Sequence, residues 1–278
     1  MTSARDIRLV LSDVDGTLVT HDKVLTPAAR AAAADLRHAG IQMAVTSARP
    51  PSGMRMLIEP LRLELPLAGF NGGLITDTHL KELESHPIAP AAAETALDLL
   101  KDAGLDIWIY TDTDWFVTSA EGKRVTREAW ITELEPKVAS PSTGLGRIFK
   151  IVGVSDDDPR MAAAEEEARR QLKDEASVSR SAAYFLDFTD THATKGFVVH
   201  SLARRLCLKP SQIATIGDMP NDILMFQESG FSIAMGNASD QVKSRADVVT
   251  DSNEDDGFAK AMVRFLLSAI VSEARSAP

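Results

Sequence analysis

Residues 8–19, RLVLSDVDGTLV, put two carboxylates, Asp13 and Asp15, at the end of a largely apolar run, Ile7 to Leu11. A run of that length suits a buried strand, and Gly16 allows the sharp turn that follows. Two acids at the carboxyl end of a strand do not both stay charged and close together unless a cation or hydrogen-bond donors compensate. The arrangement is a poor way to build a core and a good way to hold a hard metal ion beside a nucleophile. An acidic turn after a strand is the ordinary alternative, because Asp-Gly is common in turns. The doublet alone does not decide between them, so the decision falls to distant parts of the chain.

The bulk numbers remove several classes of function. A length of 278 residues holds one large domain or two smaller ones. The net charge of -10 argues against a nucleic-acid surface, which needs a basic stripe. It also means that an anionic substrate must be drawn by local positive charge. The single cysteine, Cys207, excludes an intramolecular disulfide and a cysteine-rich zinc site, and is expected on a packed helix face. No apolar run approaches the roughly 20 residues of a membrane span, and charged Asp6 and Arg8 flank a segment too short for a signal peptide. The expected compartment is the cytoplasm, with no membrane or nucleic-acid partner.

Along the chain, Thr26-Pro27 reads as a helix cap and first helical residue, and the alanine-rich helix stops at Gly40. IQMAV (41–45) is a strand ending in TSARP, a helix follows around 52–62, and LPLAGF is a short strand ending in NGG (71–73). Strands alternating with helices predict a parallel sheet, whose ligands bind at the carboxyl ends of the strands. From about residue 84 the texture changes. A helix from Pro90 to Ala103, two strands joined at 112–114, a helical segment around Arg127, a strand at 147–155, a charged helix from Pro159 and two closely spaced strands suggest an α+β module of about 100 residues. All three tryptophans (Trp108, Trp115, Trp130) and both tyrosines (Tyr110, Tyr184) lie in it, serving as its core or, for some of them, stacking on a sugar. From about 188 the first pattern returns: a helix from Lys195, the strand IATIG before Asp218, and a final helix over roughly 257–272.

Three strand ends therefore carry polar clusters: Asp13 with Asp15, Thr46 with Ser47, and Asp218 with Asn221 and Asp222. Lys195 opens a helix, where the helix dipole disfavours a cation, so it asks for an anionic neighbour. Together these supply a carboxylate nucleophile, oxygen ligands for Mg2+ and donors for phosphate oxygens, the needs of phosphoryl transfer. The six histidines are dispersed without zinc-ligand spacing; His192, three residues before Lys195, reads as a surface histidine.

The set SDVDGTL (12–18), TSARP (46–50), TKG (194–196) and GDMPND (217–222) resembles the haloacid dehalogenase-like phosphatase superfamily. FNGGLI (70–75) and the stretch 232–257 look like its Cof-type branch, whose members act mostly on sugar phosphates and other small phosphomonoesters. The resemblance implies an α/β fold: a Rossmann-like parallel-sheet core, residues 1–83 and 187–278, with an inserted α+β cap, residues 84–186, that sets specificity. It implies Asp13 as nucleophile through an aspartyl-phosphate, and Asp15 as general acid and then base, with its main-chain carbonyl on Mg2+. It further implies Ser47 on a phosphate oxygen, Lys195 neutralising nucleophile and phosphate, and Asp218 on Mg2+. Asp222 would hold metal-bound water or orient the lysine, Asn221 would bind phosphate or the metal shell, and Asn71 with Gly72 would sit near substrate.

Ala48 stands where the family usually has glycine, which leaves the role of Arg49 open, and Thr46 is disfavoured against Ser47 by register. A raised pKa at Asp15 would suit its double role. In the cap, Trp115, Arg124, Arg127 and Lys150 are the candidate pocket residues. The expected function is Mg2+-dependent hydrolysis of a small phosphorylated metabolite, with sugar phosphates foremost. A phosphomannomutase-like phosphotransferase and a non-catalytic metal-binding regulatory protein are the alternatives; Asp15 and Lys195 weigh against the latter, because a passive binder has no use for a general acid.

Overall fold

The computed structural model describes residues 6–268. The chain begins with β1 (Leu9–Asp13), whose five residues are all buried. Helix α1 (Pro27–His38) follows, capped by the Thr26 hydroxyl accepting the Ala29 N–H. It buries Ala29, Ala32, Ala33 and Leu36, the face that repeats at helical spacing. Next come β2 (Gln42–Thr46), α2 (Arg55–Leu61), β3 (Leu67–Gly69), β4 (Leu74–Thr76) and β5 (Glu82–Ser85). The middle of the chain forms α3 (Pro90–Asp102), β6 (Asp106–Tyr110), β7 (Trp115–Val117), α4 (Val125–Thr132), β8 (Pro136–Val138), β9 (Lys150–Val154), α5 (Asp158–Leu172), β10 (Ser177–Ala182) and β11 (Phe185–Thr189). The last part is α6 (Lys195–Leu206), β12 (Ile213–Gly217), α7 (Ile223–Glu228), β13 (Phe231–Ala234), α8 (Asp240–Lys243), β14 (Val248–Val249) and α9 (Gly257–Ala261), the last running on in wider turns through Leu267. The end of the expected final helix lies outside the described residues.

Two sheets result. The first has the order β14-β13-β12-β1-β2-β3-β4-β5; β14 to β3 run parallel, and β4 and β5 turn back antiparallel at one edge. Helices cover both faces. The Val10, Val45 and Ile216 side packs with α1, and the Leu9, Leu11 and Ala44 side packs with α6 and α7. The expected parallel core is present. The antiparallel pair at its edge was not anticipated, because β4 has three residues and β5 is Glu-Leu-Glu-Ser, too polar and too short to show a buried-strand pattern.

The second sheet, β10-β11-β9-β6-β7-β8, is antiparallel except where β7 meets β8. One face carries α3 and α5 over an aliphatic core. The other face is aromatic: Trp108, Tyr110, Trp115 and Phe149 pack together and take in Phe70 from the first unit, with the Phe70 ring 5.8 Å from both Tyr110 and Phe149. The inserted module thus rests its aromatic face on the loop after β3. Those aromatics are core, not a sugar platform. Trp115 is fully buried, Trp130 is exposed, and Tyr184 lies under Arg124. Cys207, expected in packing, is exposed and sits in a left-handed turn at the end of α6. Among the described residues no helix is long and apolar enough to cross a membrane.

Candidate active site

Strands β1 and β12 are neighbours from which the chain runs on in opposite directions, to β2 and to β13, and this opens a crevice at their carboxyl ends. Asp13 is the last residue of β1, Ser47 follows β2, and Asp218 follows β12. Three polar groups far apart in sequence meet there because parallel strands present their carboxyl ends on one side of the sheet.

Lys195, fully buried at the start of α6, donates to Asp13 Oδ1 at 2.5 Å and to Asp222 Oδ1 at 2.5 Å. Burial works against its charge, but the two carboxylates outweigh that and hold its pKa above the ordinary lysine value. The other Asp222 oxygen accepts the N–H groups of Asp218 and Met219, at 2.9 and 2.8 Å. Both oxygens of Asp222 are therefore engaged in holding the lysine and the loop. Gly217 makes room for this carboxylate: a Cβ there would lie 2.3 Å from Asp222 Cγ. Asp218 is held by the Thr17 hydroxyl at 3.0 Å and the Asn237 amide at 3.2 Å. Neither Thr17 nor Asn237 was singled out from the sequence, although both stand inside recognised motifs. Gly16 has φ +79° and stands so close that a Cβ would come 2.4 Å from Asp218 Oδ2.

Asp13, Asp218 and Asp222 each offer an oxygen within 4.8 Å of the others, and all three are buried. Burial pushes the Asp13 carboxyl well above its ordinary value, with Asp222 and Asp218 adding repulsion and Lys195 opposing. Burial, then Asp222, pushes Asp218 up to about 7. Three buried carboxylates with one lysine leave excess negative charge. An all-oxygen donor set of this kind fits a hard divalent cation such as Mg2+.

Asp15 differs. Burial would raise its pKa, but Arg49 and Lys23 outweigh burial and hold it at about 2. Arg49 donates to both carboxylate oxygens, at 2.7 and 2.6 Å, and Lys23 donates to Oδ1 at 2.6 Å. The raised pKa anticipated for Asp15 is thus overturned by two cations whose proximity no local pattern announces. Arg49 also donates to the carbonyls of Gly53 and, in the inserted module, Ile131, at 3.0 and 2.8 Å.

A cleft of about 380 Å3 opens over Asp13, Asp15, Ser47, Asn71, Lys195 and Asn221. Asn221 donates to Asn71 across it at 3.0 Å, and Asn71 adopts φ 58°, in the left-handed region that asparagine tolerates. Ser47 Oγ accepts the Arg49 N–H, which leaves the hydroxyl proton free. Thr46 is buried outside the cleft lining. Gly72 is packed behind it, where a Cβ would meet Val198 at 2.7 Å. The far wall comes from the inserted module: Ser177, Ser179, Arg180 and Ser181 of β10, and Asp187 and Thr189 of β11. A register shift between Arg180 and Ala182 breaks the alternation of β10, so Arg180 lines the cleft beside the serines. The side chains expected there are elsewhere. Trp115 is core, Arg124 pairs with Asp156, Arg127 is exposed, and Lys150 pairs with Asp187 at 2.7 Å.

Buried carboxylates and a lysine at the switch point of a parallel sheet, under an inserted module, define a class of phosphoryl-transfer hydrolase. The family model described as haloacid dehalogenase-like hydrolase matches residues 10–262. A protein of Haemophilus influenzae named as a phosphatase is 30% identical over 91% of this chain and 95% of its own length. The 5-amino-6-(5-phospho-D-ribitylamino)uracil phosphatase YwtE of Bacillus subtilis is 26% identical over 91% of this chain and 96% of its own. The crystal structure of a haloacid dehalogenase-like hydrolase from Bacteroides thetaiotaomicron superposes with a TM-score of 0.84 at 25% identity, covering 93% of this chain and 99% of that one. The chain belongs to the haloacid dehalogenase-like hydrolase family, as a phosphatase of the Cof-type branch.

Proposed function

We propose that this phosphatase hydrolyses small phosphomonoesters, sugar phosphates foremost, through an aspartyl-phosphate on Asp13, with Mg2+ as cofactor. The observation that carries the reading is the pair of 2.5 Å contacts from buried Lys195 to Asp13 and Asp222, beside Asp218. Asp13 and Asp218 would hold the cation, with the Asp15 carbonyl, while Asp222 sets the lysine and the loop. Bound there, the cation supplies positive charge that favours ionised Asp13 and offsets the repulsion between carboxylate and phosphate.

In the first half-reaction an Asp13 oxygen attacks phosphorus, the phosphorus–ester oxygen bond breaks, and Asp15, having left the Arg49 fork and taken up a proton from solvent, gives that proton to the leaving oxygen. In the second, water attacks phosphorus and passes a proton to Asp15, and the bond from phosphorus to Asp13 breaks. Lys195 stays beside the nucleophile, and Ser47 and Asn221 offer donors to phosphate oxygens. The ionised Asp15 held by Arg49 is the form suited to the second half. Arg49 also grips Ile131 of the inserted module, so that hold is joined to the position of the cap.

The cleft size suits a small metabolite, and the hydroxyls, the Asp187 carboxylate and Arg180 on its far wall suit a leaving group rich in hydroxyls. Phosphate release from a panel of sugar phosphates, nucleotides and cofactor phosphates, with Mg2+ and with chelator, tests the reading. The expected result is release that needs Mg2+ and is strongest with sugar phosphates. No release from any ester with Mg2+ present would favour a passive binder. Isomerised product in place of free phosphate, with a bisphosphorylated sugar supplied, would favour a phosphotransferase.

A further inference from the structure

The chain crosses between its two sheets twice. The first crossing, residues 86–89, leads from β5 to α3; the second, residues 190–194, leads from β11 to α6. His86 opens the first, and Asp190 and His192 stand in the second. One ligand atom from each of these three lies within 4.8 Å of the other two. The imidazoles of His86 and His192 face one another at 5.7 Å between centroids, 26° from parallel, and the His86 ring meets the edge of Phe197 at 4.7 Å. Two imidazoles on one tetrahedral ion stand with centroids roughly 5–6 Å apart, given zinc–nitrogen bonds of about 2.0–2.1 Å.

His86 Nε2 is buried and has no hydrogen-bond partner. The carboxylate beside it, Glu84, is 3.9 Å away and already engaged by Ser201, Arg204 and Arg205. A buried ring nitrogen without a partner is costly, and an ion bound by His86 through that nitrogen would satisfy it. Backbone contacts fix both crossings: His86 N–H donates to Gly73 at 2.7 Å, and His192 N–H to Asp190 Oδ1 at 2.8 Å. The same Asp190 oxygen lies 3.0 Å from His192 Nδ1, so carboxylate and imidazole present neighbouring donor atoms. Two imidazoles and a carboxylate suit a borderline transition ion and do not suit Mg2+, which takes oxygen ligands. His192 is largely exposed, which leaves an entry path.

We propose that His86, Asp190 and His192 form a second metal site, for a transition ion of the zinc class, that clasps the two crossings together. Binding there ties the segment leading into the inserted module to the segment leading out, and restrains the cap motion that substrate entry and product release require. Zinc would then slow turnover without touching the catalytic carboxylates.

The test uses the full chain in excess Mg2+. Zn2+ is titrated against a chromophoric chelator, Co2+ absorption is recorded in parallel, and turnover of a generic phosphate ester is followed. The expected result is one Zn2+ equivalent per chain and a several-fold loss of turnover that chelator reverses. His192→Ala, at an exposed position, should bind Zn2+ at least tenfold more weakly, lose the Co2+ ligand-field band and keep zinc-free turnover; His86→Ala should bind likewise. No zinc equivalent in excess Mg2+, or equal affinity in His192→Ala, overturns the site. Inhibition that survives in His192→Ala, or zinc binding without any inhibition, overturns the restraint of the cap. Both readouts are independent of which ester is the natural substrate.

Discussion

Arg49 holds Asp15 by both carboxylate oxygens, Nε to Oδ2 at 2.7 Å and Nη2 to Oδ1 at 2.6 Å, while its third nitrogen reaches one carbonyl in the core, Gly53, and one in the inserted module, Ile131. The planar fork of arginine suits this, and a lysine would contact only part of it. Arg49→Ala should free Asp15, raise its pKa and loosen the cap. A misplaced catalytic group costs about a hundredfold in rate, so kcat/KM should fall on that order, and Arg49→Lys should not restore it. Steady-state kinetics on one sugar phosphate checks this; rates within a few-fold of wild type for both variants would contradict it.

The carboxylate cluster makes stability depend on pH. Asp218 has a folded pKa of about 7, above its ordinary 3.8. Its contribution is therefore present in full below about 4, declines as pH rises, and is lost above about 7. In chelator, the melting temperature should fall across that window, and Asp218→Asn should flatten the fall. Mg2+ should raise the melting temperature more at pH 8 than at pH 5, because it binds the ionised form. Thermal melts of both proteins across pH, with and without Mg2+, check the sign.

Two glycines separate strain from geometry. Gly16 and Gly40 both have positive φ, +79° and +76°, but a Cβ at Gly16 strikes Asp218 whereas nothing lies within 4 Å of one at Gly40. Alanine in that backbone region costs about 1–2 kcal/mol. Gly40→Ala should therefore lose stability and keep turnover. Gly16→Ala should also need more Mg2+ for half-maximal rate, which a Mg2+ titration of turnover measures.

Asp187 is the carboxylate that the inserted module presents to the cleft. It lines the cleft from β11, pairs with Lys150, and has one buried oxygen with no partner. Asp187→Asn should change KM among sugar phosphates by up to tenfold, while changing little for a small activated aryl phosphate. Equal changes for all substrates would place it in cap packing instead.

How much of this was readable beforehand follows from how local each signal is. Asp13, Ser47, Asp218 and Lys195 could be placed because each ends a buried strand or opens a helix, and a parallel sheet brings such ends together. Strands β4, β5 and β8 escaped because three or four residues, partly charged, carry no periodicity. The grip of Arg49 and Lys23 on Asp15 also escaped, since it depends on loops that converge only in the fold. The aromatics of the inserted module were ambiguous for the same reason: their partner, Phe70, comes from the other sheet.

The covalent role of Asp13 is tested most directly by rapid acid quench of Asp15→Asn mixed with a phosphate-labelled activated ester and Mg2+, followed by peptide mapping. The label should accumulate in one-to-one stoichiometry on the peptide that contains Asp13, and vanish in the additional variant Asp13→Asn. Substrate consumed with no label on the protein, or label on another residue, would contradict an aspartyl-phosphate at Asp13.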